Sequence, residues 1–293
     1  MREHLAPLRE AVDRALEETL AECAGSPPAI LEAVRYALLG PGKRLRPMLL
    51  LASGEATGGK RHELLPAACA VEMVHAFSLV HDDLPALDDD ELRRGRPTVH
   101  IKFDEATAIL AGDALLNLAF ETLARHAGPP ERAARSLEAI TVISRAVGLS
   151  GMIAGQVLDL EFEGRPAGKE DLERIHRLKT GCLITASCVA GGILAGAGAE
   201  AIQALERYGK ALGLAFQITD DILDVEGTAV EIGKSPGKDA AASKATFPSV
   251  YGLQASRKMA ANQIRDAVGA VASFGDRASI LAEIAEAVAA RKS

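Results

Sequence analysis

Apolar residues return at every third or fourth position along almost the entire chain. In residues 2–24 the series Leu5, Leu8, Val12, Leu16 and Leu20 marks one face of a helix. Ser26-Pro27-Pro28 breaks that pattern and offers a cap and a first-turn proline to a second helix, which reaches Leu39 and ends at Gly40-Pro41-Gly42. Helical patterning resumes over 48–56, 63–83, 98–126, 131–147, 150–163, 170–199, 201–225, 247–270 and 277–291. The last of these shows Ile280, Leu281, Ile284 and Val288 on one face. Residues 84–97 read as a polar loop after Pro85. No run of alternating apolar residues with hairpin turns is present, so no sheet is predicted. With no repeat or linker dividing it, the chain is expected to be one all-α domain over 1–293, a single large helical bundle.

Composition supports this reading: 48% hydrophobic and 25% charged residues are the proportions of a folded soluble protein. Residues 180–199 carry no charge and are long enough to cross a bilayer. Their glycines, with Thr185 and Ser187, suit close packing at the centre of a bundle instead, so no membrane span is expected. The net charge of -7 argues against nucleic acid as a partner. Cys23, Cys69, Cys182 and Cys188 lie outside any zinc-like spacing and read as reduced core thiols. No signal peptide is visible, and the expected location is the cytoplasm.

Two acidic clusters interrupt apolar helices. His81-Asp82-Asp83-Leu84-Pro85-Ala86-Leu87-Asp88-Asp89-Asp90 ends one; Gln217, Asp220, Asp221 and Asp224 form a polar stripe on another, at i, i+3, i+4 and i+7. Aligned carboxylates repel and are costly to bury unpaired, so a cation is required there. Mg²⁺ fits, since it takes one or two carboxylates and completes its shell with water and phosphate. A straight helix would not align Asp82 with Asp88, but Pro85 ends the helix and lets Asp88 bend back. Basic residues gather near these acids: Lys43, Arg44 and Arg46; Arg93, Arg94 and Arg96; Lys179; Lys234, Lys238 and Lys244. Basic loops in an acidic protein point to two anion sites, one bridged by metal and one direct. His75 lies two helical turns before Asp82, about 10 Å away on the same face.

Together these residues resemble the trans-isoprenyl diphosphate synthases, specifically the bacterial farnesyl-forming type. The resemblance rests on Gly42-Lys43 with Arg46-Pro47, His75, Asp82-Asp83 with Asp88, Arg93-Arg94-Gly95 and Ala111-Gly112-Asp113. It extends through Gly155-Gln156 with Asp159, Lys179-Thr180-Gly181, Phe216-Gln217 with Asp220-Asp221 and Asp224, Gly233-Lys234, and Lys244 with Thr246-Phe247-Pro248. It implies the isoprenoid synthase fold with a deep central cavity, a homodimer, and diphosphate substrates bound with Mg²⁺, commonly three ions. By resemblance, Asp82, Asp88 and Asp220 would be direct ligands, supported by Asp83, Asp221 and Asp224. Arg93, Lys179, Thr180, Gln217 and Lys234 would hold the allylic diphosphate. Lys43, Arg46, His75 and Arg94 would hold isopentenyl diphosphate. Lys244 would belong to a closing loop. The carbonyl of Lys179, with Thr180 and Gln217, would steady the carbocation.

Chain length in this family is set before the first acidic cluster. Phe77 and Ser78 lie there, five and four residues before Asp82, and the aromatic implies a C15 floor, farnesyl diphosphate, with a C20 product as the alternative. A non-catalytic partner subunit would be expected to lack one acidic cluster, and both stand intact. A terpene cyclase would not need Lys43, Arg46 and Arg94.

Overall fold

The computed structural model describes residues 5–165, 168–226 and 245–290. Its helices are α1 (Ala6–Ala21), α2 (Pro28–Leu38), α3 (Leu45–Ala56), α4 (Arg61–Asp82), α5 (Val99–Lys102), α6 (Glu105–Arg125), α7 (Pro130–Val147) and α8 (Met152–Glu161). After them come α9 (Lys169–His176), a π-helical turn (Arg177–Gly181), α10 (Cys182–Ala195), α11 (Ala199–Glu226), α12 (Phe247–Tyr251) and α13 (Leu253–Ala270). A 3-10 segment (Ala272–Ala278) leads into α14 (Ser279–Ala289). The protein is all-α, as the periodicity predicts.

Three predicted helices are divided. Asp104 accepts a hydrogen bond from the Thr107 amide at 2.7 Å, a cap that starts α6 afresh after α5. Gly252, at φ 83°, separates α12 from α13. The π turn splits the expected 170–199 helix. The loop over 84–97 also differs from expectation, because Leu92–Arg93 pairs antiparallel with Arg96–Pro97 in a minimal hairpin. Arg94 and Gly95 both take positive φ, 53° and 73°, as such tight turns require.

The apolar stripes define the core. Leu5, Leu8, Val12, Leu16 and Leu20 are all buried, as are Leu281, Ile284 and Val288 of α14. The Tyr208 hydroxyl, fully enclosed, donates to the Leu281 carbonyl at 2.8 Å and so escapes the cost of a lost partner. Helix α10 packs on α3, α7 and α11, while α4 packs on α3 and α6. The uncharged segment predicted to sit centrally does so. A Cβ at Gly191 would lie 2.2 Å from the Leu50 carbonyl oxygen, so only glycine lets α10 approach α3 this closely. Cys69 and Cys188 are buried free thiols, raised by burial to about 12; Cys23 and Cys182 are half-buried and also free.

Among the described residues, four stretches are long and apolar enough to cross a membrane by length and composition alone. Arg61–Asp82 and Lys169–Ala195 bury 67% and 61% of their apolar windows within the bundle. Glu105–Arg125 and Arg132–Glu161 bury only 39% and 28%. Accordingly Leu110, Leu137, Leu149, Ile153 and Val157 are exposed on α6, α7, α8 and the turn joining the last two.

Candidate active site

Helix α4 ends at Asp82, and the chain folds back over its own terminus. The Asp88 amide donates to the Asp82 carbonyl at 2.9 Å, and the Asp90 amide to the Asp83 carbonyl at 3.1 Å. Asp88 is thereby brought beside Asp82, as Pro85 leads one to expect. Burial is the main force raising the Asp82 carboxyl to about 6; Lys179 opposes it and Asp88 adds to it. Asp83 is buried and clamped by Arg93, whose Nε lies 2.8 and 2.9 Å from its two carboxylate oxygens. Arg93 also approaches Asp90, at 3.8 Å. This arginine, assigned by resemblance to the allylic diphosphate, thus first serves to fix the acidic turn.

The second cluster is similarly differentiated. Asp221 is buried and accepts from the Gln217 amide at 2.9 Å and the Phe247 backbone N–H at 2.8 Å. The Thr180 hydroxyl donates to Gln217 Oε1 at 3.0 Å. Thr180, Gln217, Asp221 and Phe247 therefore form one chain of hydrogen bonds running from the π turn through α11 to α12. His176 stacks on Phe247 with its Nε2 3.6 Å from Asp221, and burial lowers its imidazole to about 4, so it is neutral.

The π turn carries Lys179 and Thr180, and such turns are frequent at functional sites. Helix α8 presses on it: a Cβ at Gly155 would sit 2.2 Å from the Lys179 backbone nitrogen. One turn further along α8, Asp159 accepts from the Lys179 ammonium at 2.7 Å. Asp159 thus holds Lys179 in place, a role the motif alone did not disclose.

The basic loop is anchored from below. Arg44, buried and in the left-handed region at φ 50°, donates to Asp13 at 2.7 Å, Glu72 at 2.8 Å and the Gly40 carbonyl at 3.0 Å. Glu72 is a buried acid in the middle of apolar α4, and that is the signal by which sequence could have found it. The anchored loop presents Lys43 at the surface and Arg46 buried, and the Arg46 Nε has no hydrogen-bond partner. Burial lowers Arg46 to about 10; Glu72 opposes the shift and Arg94 adds to it. Arg94, at the hairpin turn, donates to the Pro41 carbonyl and so ties the two basic loops together. His75 is driven well below its ordinary range by burial, then by Arg46, Arg94, Arg93 and Arg44, and is held neutral. A pocket of about 70 Å³ opens here between His75, Arg44, Arg93, Arg94 and Arg96.

These charges share one neighbourhood. Lys179 acts on Asp82, and Arg46 senses both Arg94 and Asp220. Among the described residues, no three carboxylate, imidazole or thiolate side chains converge as a ready metal cage. Lys234, Lys238 and Lys244 lie outside the described residues. Phe77 is buried, and Ser78 turns its hydroxyl back to the His75 carbonyl at 2.9 Å.

Carboxylates that need a cation stand here beside arginines that need an anion, within an all-α bundle. The chain belongs to the polyprenyl synthetase family, the trans-isoprenyl diphosphate synthases, whose model matches residues 27–286. It is a prenyltransferase of isoprenoid biosynthesis, and the family is Mg²⁺-dependent. Over 291 residues it is 46% identical to the dimethylallyltranstransferase of Fischerella ambigua (strain UTEX 1903), covering 99% of this chain and 83% of that one. Over 288 residues it is 43% identical to the heterodimeric geranylgeranyl pyrophosphate synthase large subunit 1 of Arabidopsis thaliana, covering 97% and 77%. Its fold matches an apo FPP/GFPP synthase from Zymomonas mobilis at a TM-score of 0.87 and 36% identity, covering 99% and 100% of the two chains. It also matches a Helicobacter pylori geranyltransferase complexed with magnesium and isoprenyl diphosphate, at 0.82 and 32%, covering 98% and 97%.

Proposed function

We propose that the protein, as one synthase domain over its whole length, joins dimethylallyl or geranyl diphosphate to isopentenyl diphosphate and releases farnesyl diphosphate. The observation carrying the C15 reading is Phe77, a buried aromatic on α4 five residues, about 7.5 Å of helix, before Asp82. The relatives named geranylgeranyl pyrophosphate synthases favour C20 as the second reading.

The donor set fits Mg²⁺. It is all carboxylate, it includes a buried carboxyl that resists ionising without a cation, and it leaves coordination places for water and phosphate. Asp82, Asp88 and Asp220 would hold the metal, with Asp83, Asp221 and Asp224 in support, and three ions per site is the expected complement. When bound, Mg²⁺ would supply the positive charge that offsets the diphosphate leaving the allylic carbon.

The chain's own residues do the rest. Lys179, held by Asp159, and the edge of Arg93 not used by Asp83 bind the allylic diphosphate together with Lys234, while Lys244 is assigned to the closing loop. Thr180 and Gln217, aligned through Asp221, present oxygens to the cation together with the Lys179 carbonyl. Lys43, Arg46, Arg94 and neutral His75 bind isopentenyl diphosphate, the unpartnered Arg46 Nε being ready to donate. The double bond attacks, and the proton leaves with the released diphosphate. The exposed apolar surface on α6, α7, α8 and the turn at Leu149 is the face we assign to a homodimer.

Product analysis tests this. Purified protein with isopentenyl and dimethylallyl diphosphates should yield farnesyl diphosphate in Mg²⁺ and nothing in EDTA. A C20 product would retain the reaction and discard the floor; no elongation from any allylic starter would overturn the reading.

A further inference from the structure

Directly beneath the first acidic cluster, His81 is fixed on three sides. It follows Phe77 by one helical turn, and the two rings meet edge to face, with centroids 5.1 Å apart and planes at 78°. Its Nε2 lies 3.0 Å from the Ile109 carbonyl oxygen of α6. A carbonyl only accepts, so Nε2 carries the proton and donates. On the third side is Gly112: a Cβ there would fall 2.1 Å from His81 Nε2 and 2.3 Å from its Cδ2. Any larger residue at 112 would expel the imidazole from its seat. The ring is thus a spacer locked between α4 and α6, and one of its contacts is the side chain assigned to the pocket floor.

We propose that product length is set by a unit of three residues, Phe77, His81 and Gly112, in which His81 is a positioning residue. Resting on the Phe77 floor, the inference adds that Phe77 terminates the pocket because His81 holds its rotamer, and His81 can do so because residue 112 has no side chain. An aromatic ring packed edge to face against a held neighbour loses the torsional freedom that would let a growing isoprenoid push it aside. Removing the buttress leaves Phe77 in place but free to swing, and the next five-carbon unit can then be accommodated.

The experiment compares product distributions of Phe77→Ala, His81→Ala, Gly112→Ala and Phe77→Ala/His81→Ala, each normalised to total turnover. Circular dichroism checks the fold. Phe77→Ala should raise the ratio of C20 to C15 by about tenfold or more, in line with a loss of roughly 1.4 kcal/mol of discrimination. His81→Ala and Gly112→Ala should each raise it severalfold, and the double variant should exceed Phe77→Ala by nothing further. A disturbance passed to neighbouring Asp82 would lower the rate without lengthening the product, so the ratio separates positioning from a structural effect. Should His81→Ala fail to fold, His81→Gln keeps a donor for Ile109 while removing the ring, and the same lengthening is expected. Unchanged products from the His81 variants, with Phe77→Ala elongating, would overturn the inference and leave the floor standing. An unchanged product from Phe77→Ala would overturn both.

Discussion

Replacing Asp82 with asparagine should stabilise the metal-free protein while destroying its activity. In the fold this carboxyl titrates near 6, against an ordinary 3.8, and that value already includes the attraction of Lys179 and Arg93. At about 1.4 kcal/mol per pH unit, ionised Asp82 leaves the native state about 3 kcal/mol less stable than a neutral isostere would. The sign follows from linkage. A carboxyl raised by folding favours the native state fully below 3.8, and this advantage is lost as pH rises through 6. Asparagine retains the advantage at every pH. In EDTA at pH 8, Asp82→Asn should therefore melt about 6 °C above the parent protein, taking about 2 °C per kcal/mol for a chain of this size. At pH 5 the gap should shrink to about half, and below pH 4 it should close. Paired thermal melts across that range provide the assay. Equal midpoints at pH 8, or a gap that does not vary with pH, would refute the argument that burial and Asp88 strain this carboxylate. Adding Mg²⁺ with inorganic diphosphate should raise the midpoint of the parent and not of the variant.

Four further outcomes are expected. Asp220→Ala should lose turnover on the order of 10³-fold with its helical circular dichroism unchanged, and near-normal rates at saturating Mg²⁺ would exclude it as a ligand. Glu72→Gln leaves Arg44 buried with its charge only partly met, at a cost of about 3 kcal/mol in urea unfolding. Gly155→Ala puts a methyl group against the Lys179 backbone, so about 2 kcal/mol of stability should be lost together with much of kcat. Leu149→Glu places a charge on the most exposed large apolar side chain among the described residues, at 93% accessibility, and sedimentation should show the homodimer proposed on this face giving way to monomer.

Much of this was legible in the sequence because helices repeat. The burial of Leu8, Val12, Leu16 and Leu20, the stripe through Gln217, Asp220, Asp221 and Asp224, and the return of Asp88 past Pro85 all follow from local rules of spacing and backbone geometry. What stayed hidden depended on partners distant in sequence. The Arg44–Glu72 pair joins residues 28 positions apart, and Lys179–Asp159 joins residues 20 apart, so neither appears in a periodicity. The hairpin at Leu92–Arg93 and Arg96–Pro97 has strands of only two residues, too short to show alternation. The contacts that distinguish one aspartate from its neighbour were equally invisible, although the resemblance had already proposed separate roles for them. Asp83 and Asp221 are buried where Asp82 and Asp220 are half-buried, and an arginine fork reaches the first while an amide and a backbone N–H reach the second.

The π turn between α9 and α10 also fixes the angular phase of everything before it. A hydrogen bond that skips five residues admits one more residue per turn than the α-helix, and each residue is worth about 100° of rotation. Helices α9 and α10 therefore share nearly one axis while presenting faces that a continuous helix could not combine. The small residues of α10 meet α3, while Lys179 and Thr180 turn toward the acids. Deleting a single residue between Arg177 and Gly181 would restore a regular helix and rotate α9 by about a quarter turn relative to α10. The segment's length thus matters as much as its side chains, because its length is what aims the lysine.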